Sequence, residues 1–461
     1  MKTLTQIDID NFSATIRGRV VTDTDSDYDA VRSIWNDMID RRPKLMVQCS
    51  GTADVVSCIK FIKESGINFS IRSGGHNIAG SSIRDDALMI DLSTMNSVFV
   101  DSKNRRAYVE PGALLGDVDH ETQLYGLATS LGINSTTGVA GLTLGGGFGW
   151  ISRKHGMTVD NLIAAQIVTA DGESIRVSKD AHPDLFWAIR GGGGNFGIVT
   201  QFELQLHPVG PEVFCGLIAL PFDSAKETLK KYREYTATLP DEMSIWAVIR
   251  KAPPLPFLPE EVHGKEVVIM AFLYIGDEES GAKLIEPVRK FAEPHGEFFG
   301  MMPYKAWQQI FDPLLTPGAR NYWKSHNFER LNDEMLDVIV EYASKIPSSP
   351  CEIFIAQMGG YTSRQAITKT AYVHRKANYI MNVHARWDDS SEDELCIAWA
   401  RAFFKSATPH AMGGAYVNFM TEEENERVPS AYGENYAKLT EIKEKYDPEN
   451  IFNLNQNIKP K

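Results

Sequence analysis

The sequence is poor in cysteine, has no basic excess and has no long apolar run, and each shortage removes a class of function. Five cysteines (Cys49, Cys58, Cys215, Cys351 and Cys396) are scattered over 461 residues and never form a CxxC pair, which argues against a disulfide framework or a zinc site. The eleven histidines form no HxH, HxxxH or HExxH, so no metal is expected. Lys plus Arg number 47 against 60 Asp plus Glu, a net charge of −13. A surface of that sign repels phosphate backbones, so nucleic acid is not an expected partner. No apolar stretch approaches the ~20 residues that span a bilayer, and MKTLTQIDIDNF is too polar for the apolar segment of a signal peptide. The expectation is a cytoplasmic protein without a membrane partner. No GxxxxGK[ST] occurs, so a P-loop nucleotidase is excluded.

What the sequence does have is glycine, unevenly spread. Hydrophobic residues at 43% suffice for a sizeable core, and the length allows two or three domains. Within the first 200 residues glycine clusters in RSGGHNIAG (72–80), GVAGLTLGGGFG (138–149) and GGGGNFG (191–197). Glycine-rich turns let backbone amides approach a ligand and form anion-binding concavities. Three of them point to an extended, phosphate-bearing ligand. Gly192-x-Gly194-x-x-Gly197 matches a dinucleotide pattern, but IVTQFELQL after it alternates like a strand where that motif requires a helix. The match is therefore rejected.

Short β-type segments at 69–71, 88–91, 107–109, 163–169 and 174–177 alternate with helical ones such as Thr52–Ser65 and 114–126. Beyond the breaker cluster at 207–211 the texture changes to a strand at 267–274 and helices at 280–292 and 333–344, with a proline-rich loop at 251–262. Glycine returns near 412, and a helix is expected around 432–446. The fold class expected is α+β.

RSGGHNIAGS, GVAGLTLGGGFG, HGMTVDN, DLFWAIRGGGGNFGIVT and YDPENIFNLNQNI, in this order, resemble the berberine-bridge-enzyme-like FAD-linked oxidases of the vanillyl-alcohol-oxidase superfamily. The resemblance implies a PCMH-type FAD domain over 1–210 (core about 39–210), a substrate domain with an antiparallel sheet covered by helices over 211–411, and a C-terminal segment, 412–461, returning to the FAD domain. It implies FAD bonded through its 8α carbon to His76, a link that raises the flavin potential. Some relatives carry a second, cysteinyl link just before the second glycine loop; Asn134 stands in that place, so a single link is expected. Further FAD contacts carried over are Arg72, Ser73, Gly74, Gly75, Asn77, Ser81, Gly138, Gly141, Gly145, Gly146, Asp160, Asn161, Gly194, Ile198, Asn455 and Asn457. Val139 fills the place of an oxygen gate.

The implied reaction passes a hydride from a CH–OH or CH–NH carbon of a small organic substrate to flavin N5, with O2 as the electron acceptor. Plant relatives place a tyrosine base where this chain has Phe419, so Tyr416 is the nearest phenol and Asn418 a substrate-orienting neighbour. Tyr372 and His374 resemble pocket-lining positions; Tyr361, Gln357 and Trp323 are further candidates. Two alternatives stay open: a dehydrogenase with another acceptor, and a flavin-binding protein without turnover. Substrate and oligomeric state are not legible.

Overall fold

The computed structural model describes residues 5–461. Strands Arg19–Thr22, Leu45–Gln48, Leu88–Asp91 and Phe69–Arg72 form a small sheet in that spatial order, parallel except for its first pair. Between the second and fourth of these, helix Thr52–Ser65 supplies the crossover that parallel strands require, burying Val55, Cys58, Ile59 and Ile62 against the sheet. A five-stranded antiparallel sheet follows, in the order Val98–Asp101, Arg106–Val109, Ile198–Gln205, Leu162–Val168, Ser174–Ser178. The strand Ile198–Gln205 directly follows the glycine run, as its alternation predicts.

The third sheet has seven antiparallel strands: Gly296–Pro303, Glu212–Pro221, Glu266–Tyr274, Met243–Lys251, Glu352–Gln357, Tyr379–Trp387 and Arg320–Phe328. Its two faces are separated by the two-residue period of a strand. Met243, Ile245, Ala247, Ile249, Ile353, Ile355, Met381, Val383 and Ala385 pack beneath helices Ala225–Thr236, Glu278–Arg289, Asp333–Ala343 and Asp393–Ala407. The intervening residues, among them Trp246, Arg250, Glu352, Phe354 and His384, face the other way, toward the glycine loops.

Two local expectations change. The second glycine loop opens as a short helix, Val139–Gly145, before its left-handed turn at Gly146 and Gly147. The predicted helix at 432–446 is interrupted by Gly433, leaving Val428–Tyr432 and Tyr436–Tyr446. The second of these ties the end of the chain back to the first 200 residues: Lys443 Nζ donates to the Asn195 carbonyl at 2.7 Å, and the Asn195 side chain donates to Gln456 O at 3.1 Å. All five cysteines are buried and free. No helix of the described residues is long and apolar enough to cross a membrane.

Candidate active site

One cavity gathers the glycine loops, the exposed face of the large sheet and the C-terminal segment. Ser73, Gly74, Gly75, His76 and Asn77 line it from the first loop, Gly138 and Gly141 from the second, and Gly194 and Ile198 from the third. Asn455 closes that end, and Tyr416, Asn418 and Phe419 enter from the C-terminal segment. The glycines serve different ends. A Cβ on Gly74 would lie 2.4 Å from Gly138 N, and one on Gly138 would lie 2.4 Å from Gly74 N, so these two exist because the loops pack backbone on backbone. A Cβ on Gly141 would meet nothing within 4 Å, and its bare face is open to the cavity.

His76 stacks on Trp35, with ring centroids 4.4 Å apart, and its Nε2 lies 2.9 Å from Thr136 Oγ1. Burial, and then the Arg386 charge, pull its pKa down to about 3, so the imidazole is neutral across the physiological range. Asn134, in the place where some relatives carry cysteine, accepts from Thr136 Oγ1 at 2.7 Å and donates to Leu315 O at 3.3 Å.

Tyr416 Oη accepts from Gly147 N and from Asn418 Nδ2, each at 3.0 Å. Both hydroxyl lone pairs are thus engaged. Burial pushes the phenol up to about 12 despite these two donors, which keeps it protonated at neutral pH and disfavours the expected role of base. Phe148 and Phe419 pack edge-on around its ring.

Several other expected residues lie behind the cavity wall. Arg72 is held by Asp91 (Nε to Oδ1 3.1 Å) and by the carbonyls of Val31 and Ser33, anchoring the end of its strand. Asn77 does line the cavity, with its Oδ1 accepting from Ser81 N at 3.0 Å in a turn-closing contact, whereas Ser81 is not part of the lining. Asp160 forms a fully buried bidentate pair with Arg375 at 2.7 and 2.9 Å, and Asn161 donates to the carbonyls of His155 and Met157. Val139 is sealed in the core beside Ala140, so the cavity wall is made by Ala140 and Gly141 instead. Gly145 is pressed against Asn418, and Gly146 against Tyr372 and Tyr416. His374 Nε2–H donates to Ala431 O at 2.8 Å, and Tyr372 packs behind Tyr416, so neither faces the cavity. Asn457 leaves Oδ1 buried with no partner among the described residues. Gln357 is spent on Ile245 N and Thr236 O; Tyr361 does not line the cavity, whereas Trp323 does.

Besides Trp323, the sheet contributes residues that sequence reasoning does not assign to the site: Trp246, Glu352, Phe354 and His384. A second chamber adjoins the first through shared walls at Ile133, Trp246, Leu315, Glu352 and Phe354. It measures ≈ 360 Å³ and is faced by Trp150, Phe257, Phe298 and Phe311, with Arg250 and Glu352 its charged residues.

An FAD binding domain family model matches residues 43–178, and a berberine and berberine-like family model matches 415–459. An FAD-linked oxidoreductase of Dictyostelium discoideum is 33% identical over 99% of this chain and 97% of its own length. The chain belongs to the berberine-bridge-enzyme-like FAD-linked oxidoreductases. A chitooligosaccharide oxidase of Gibberella zeae is 30% identical, covering 89% of this chain and 86% of that protein. Among solved structures, 6-hydroxy-D-nicotine oxidase from Arthrobacter nicotinovorans superposes with a TM-score of 0.85 at 27% identity, over 97% of this chain and 98% of that one. This chain is accordingly an FAD-linked oxidoreductase, with the two-domain α+β fold of its relatives. The cavity suits such a cofactor: Gly141 leaves a face open, and Ser82 Oγ is buried in the cavity wall with no partner among the described residues.

Proposed function

We propose that this oxidoreductase is an oxidase of a small alcohol or amine bearing an aromatic or hydrocarbon arm, with O2 as the electron acceptor and H2O2 as the second product. The observation that carries the reading is the adjacency of two chambers that share five lining residues. The first joins His76 to Tyr416, and the second is walled by aromatic side chains. An oligosaccharide needs dense hydrogen-bonding walls, and this chamber has few polar groups.

In this reading residues 1–210 and 412–461 enclose FAD, and 211–411 cover the substrate. Ser73, Gly74, Gly75, Asn77, Gly138, Gly141, Gly194, Ile198 and Asn455 hold the cofactor, and His76 carries it as a single 8α-histidyl link. Bound there, FAD supplies two-electron oxidation by accepting a hydride. Tyr416, protonated at neutral pH, donates a hydrogen bond to the substrate oxygen or nitrogen, and Asn418 fixes the phenol. Arg72, Asp160, Asn161, Tyr372 and His374 act as positioning residues behind these contacts. Five free, buried thiols agree with a reducing compartment, here the cytoplasm.

The test is an absorption spectrum before and after acid precipitation, followed by peroxide release with benzylic alcohols and amines. Flavin colour that stays with the pellet, and leaves it in His76→Ala, is the expected result. Colour released to the supernatant from the unmodified protein rejects the covalent link. Flavin that substrate bleaches but that regains its colour only with an added quinone, with no oxygen uptake, makes the enzyme a dehydrogenase.

A further inference from the structure

Four adjacent strands of the large sheet place one side chain each in a single cross-strand row. Arg250 is the register partner of Glu352, Glu352 of His384, and His384 of Trp323. Directly opposed side chains on one face of a sheet interact, and here they form a polar relay. Arg250 Nη1 bonds Glu352 Oε2 at 2.8 Å, and His384 Nδ1 lies 3.3 Å from Glu352 Oε1. The Trp323 indole stands edge-on to the imidazole with centroids 4.4 Å apart. His384 is 3% exposed, and its Nε2 is buried in the cavity wall without a protein partner among the described residues. A buried polar nitrogen left unpaired in a native site calls for an occupant.

Resting on the oxidase reading above, we propose that His384 is the base that takes the substrate's hydroxyl or amine proton, and that Glu352 positions it. Glu352 offers only acceptors when ionised, so His384 must present Nδ1–H to it. The remaining proton site, Nε2, is then a free lone pair facing the cavity. Burial favours a neutral Glu352, but Arg250 beside it prevails and holds the carboxyl below its usual range. Burial likewise keeps His384 below the ordinary histidine value, against the raising effect of Glu352. The charged groups around the imidazole are therefore Glu352 and Arg250 on one side and Arg386 along its own strand; the other flanking strand presents uncharged Trp323.

The step balances. The O–H or N–H proton passes to Nε2, its bonding pair becomes the second bond of C=O or C=N, and the C–H hydrogen leaves with its two electrons to FAD, the oxidant. The imidazolium formed is compensated by the Glu352 carboxylate. This arrangement also accounts for Phe419: its ring packs on Trp323 at 5.5 Å and on Phe354 at 6.0 Å, forming the apolar wall beside a base supplied from the sheet.

Two measurements on the holoenzyme decide it. Nitrogen-15 NMR of histidine-labelled protein, with the His384 signal assigned by its loss in His384→Gln, should give a neutral ring protonated at Nδ1 at pH 7. A ring protonated at Nε2, or at both nitrogens, overturns the proposal. Anaerobic flavin reduction by 4-n-butylbenzyl alcohol and its amine counterpart should slow about 100-fold in His384→Gln, with the half-saturating concentration little changed. The acidic limb of the rate profile should disappear in the same variant. A rate within twofold of the unmodified enzyme rejects His384 as base. If neither compound bleaches the unmodified flavin, the oxidase reading fails on its own account, and the NMR result still decides the relay.

Discussion

His76 Nε2 and Thr136 Oγ1 share a hydrogen bond of 2.9 Å in which the imidazole is the donor. Thr136 has a single hydroxyl proton, and it is given to Asn134 Oδ1 at 2.7 Å. The threonine oxygen can therefore only accept, which fixes His76 as the Nε2–H tautomer and leaves Nδ1 as the nucleophilic nitrogen. Thr136→Val removes the acceptor. Flavin fluorescence in denaturing gels, followed over time after adding FAD to apoprotein, should show attachment slowed about tenfold. Asn134→Asp keeps an acceptor and should stay within about twofold of the unmodified rate.

Tyr416 receives two donors at 3.0 Å, so Tyr416→Phe strands Gly147 N and one Asn418 N–H. Each buried unpaired donor costs about 1–3 kcal/mol. The variant should melt several degrees lower and turn over about tenfold more slowly. Because the phenol sits at about 12, the rate profile below pH 9 should keep its shape. Loss of a near-neutral limb in this variant would make Tyr416 the titrating group.

The apolar chamber gives a graded prediction. Para-n-alkylbenzyl alcohols of increasing chain length should bind more tightly by about 0.8 kcal/mol, roughly fourfold, per methylene until the chamber is full. Titration against the flavin absorbance measures this directly. Ile269→Trp should flatten the dependence while leaving the shortest member's affinity near that of the unmodified enzyme, since Ile269 lines only the far chamber. A flat series in the unmodified enzyme removes the chamber from substrate binding.

Asp119 is wholly buried on helix Leu115–Gln123, with Gln308 Nε2 3.1 Å from Oδ2 and with Oδ1 unpartnered among the described residues. Burial pushes its carboxyl up to about 7, outweighing the Gln308 hydrogen bond. The folded protein thus holds a proton that the unfolded chain releases near pH 4, so this group lowers stability as pH rises from about 4 to 7 and by a constant amount above. Asp119→Asn should raise the melting temperature at pH 8 and change it little at pH 4, as measured by calorimetry.

The legible part of the fold was its local patterning. The strand after Gly197 could be read from IVTQFELQL, and that strand is what disqualified the dinucleotide motif. The first glycine loop and the C-terminal Tyr416 and Asn418 reach the cavity from motifs that are contiguous in sequence. The Arg250, Glu352, His384 and Trp323 row was not legible, because it exists only once four strands take their register. Its signal was nonetheless present: Glu352 opens a strand that is apolar up to its last residue, Gln357, and Asn382, His384 and Arg386 alternate with Met381, Val383 and Ala385. Arg72 and Asp160 misled because a motif conveys proximity in sequence, whereas their side chains turn to Asp91 and Arg375.

The cavity is walled by residues 35–199, 246–384 and 416–456. On a ribosome, His76 leaves the exit tunnel hundreds of residues ahead of Tyr416 and Asn455, and for all that time the nascent first domain has only part of the enclosure. Capture of the cofactor is therefore a late event, and a chain stalled or clipped before its final fifty residues lacks one wall of the binding site. Flavin content would then report on completed synthesis as well as on folding.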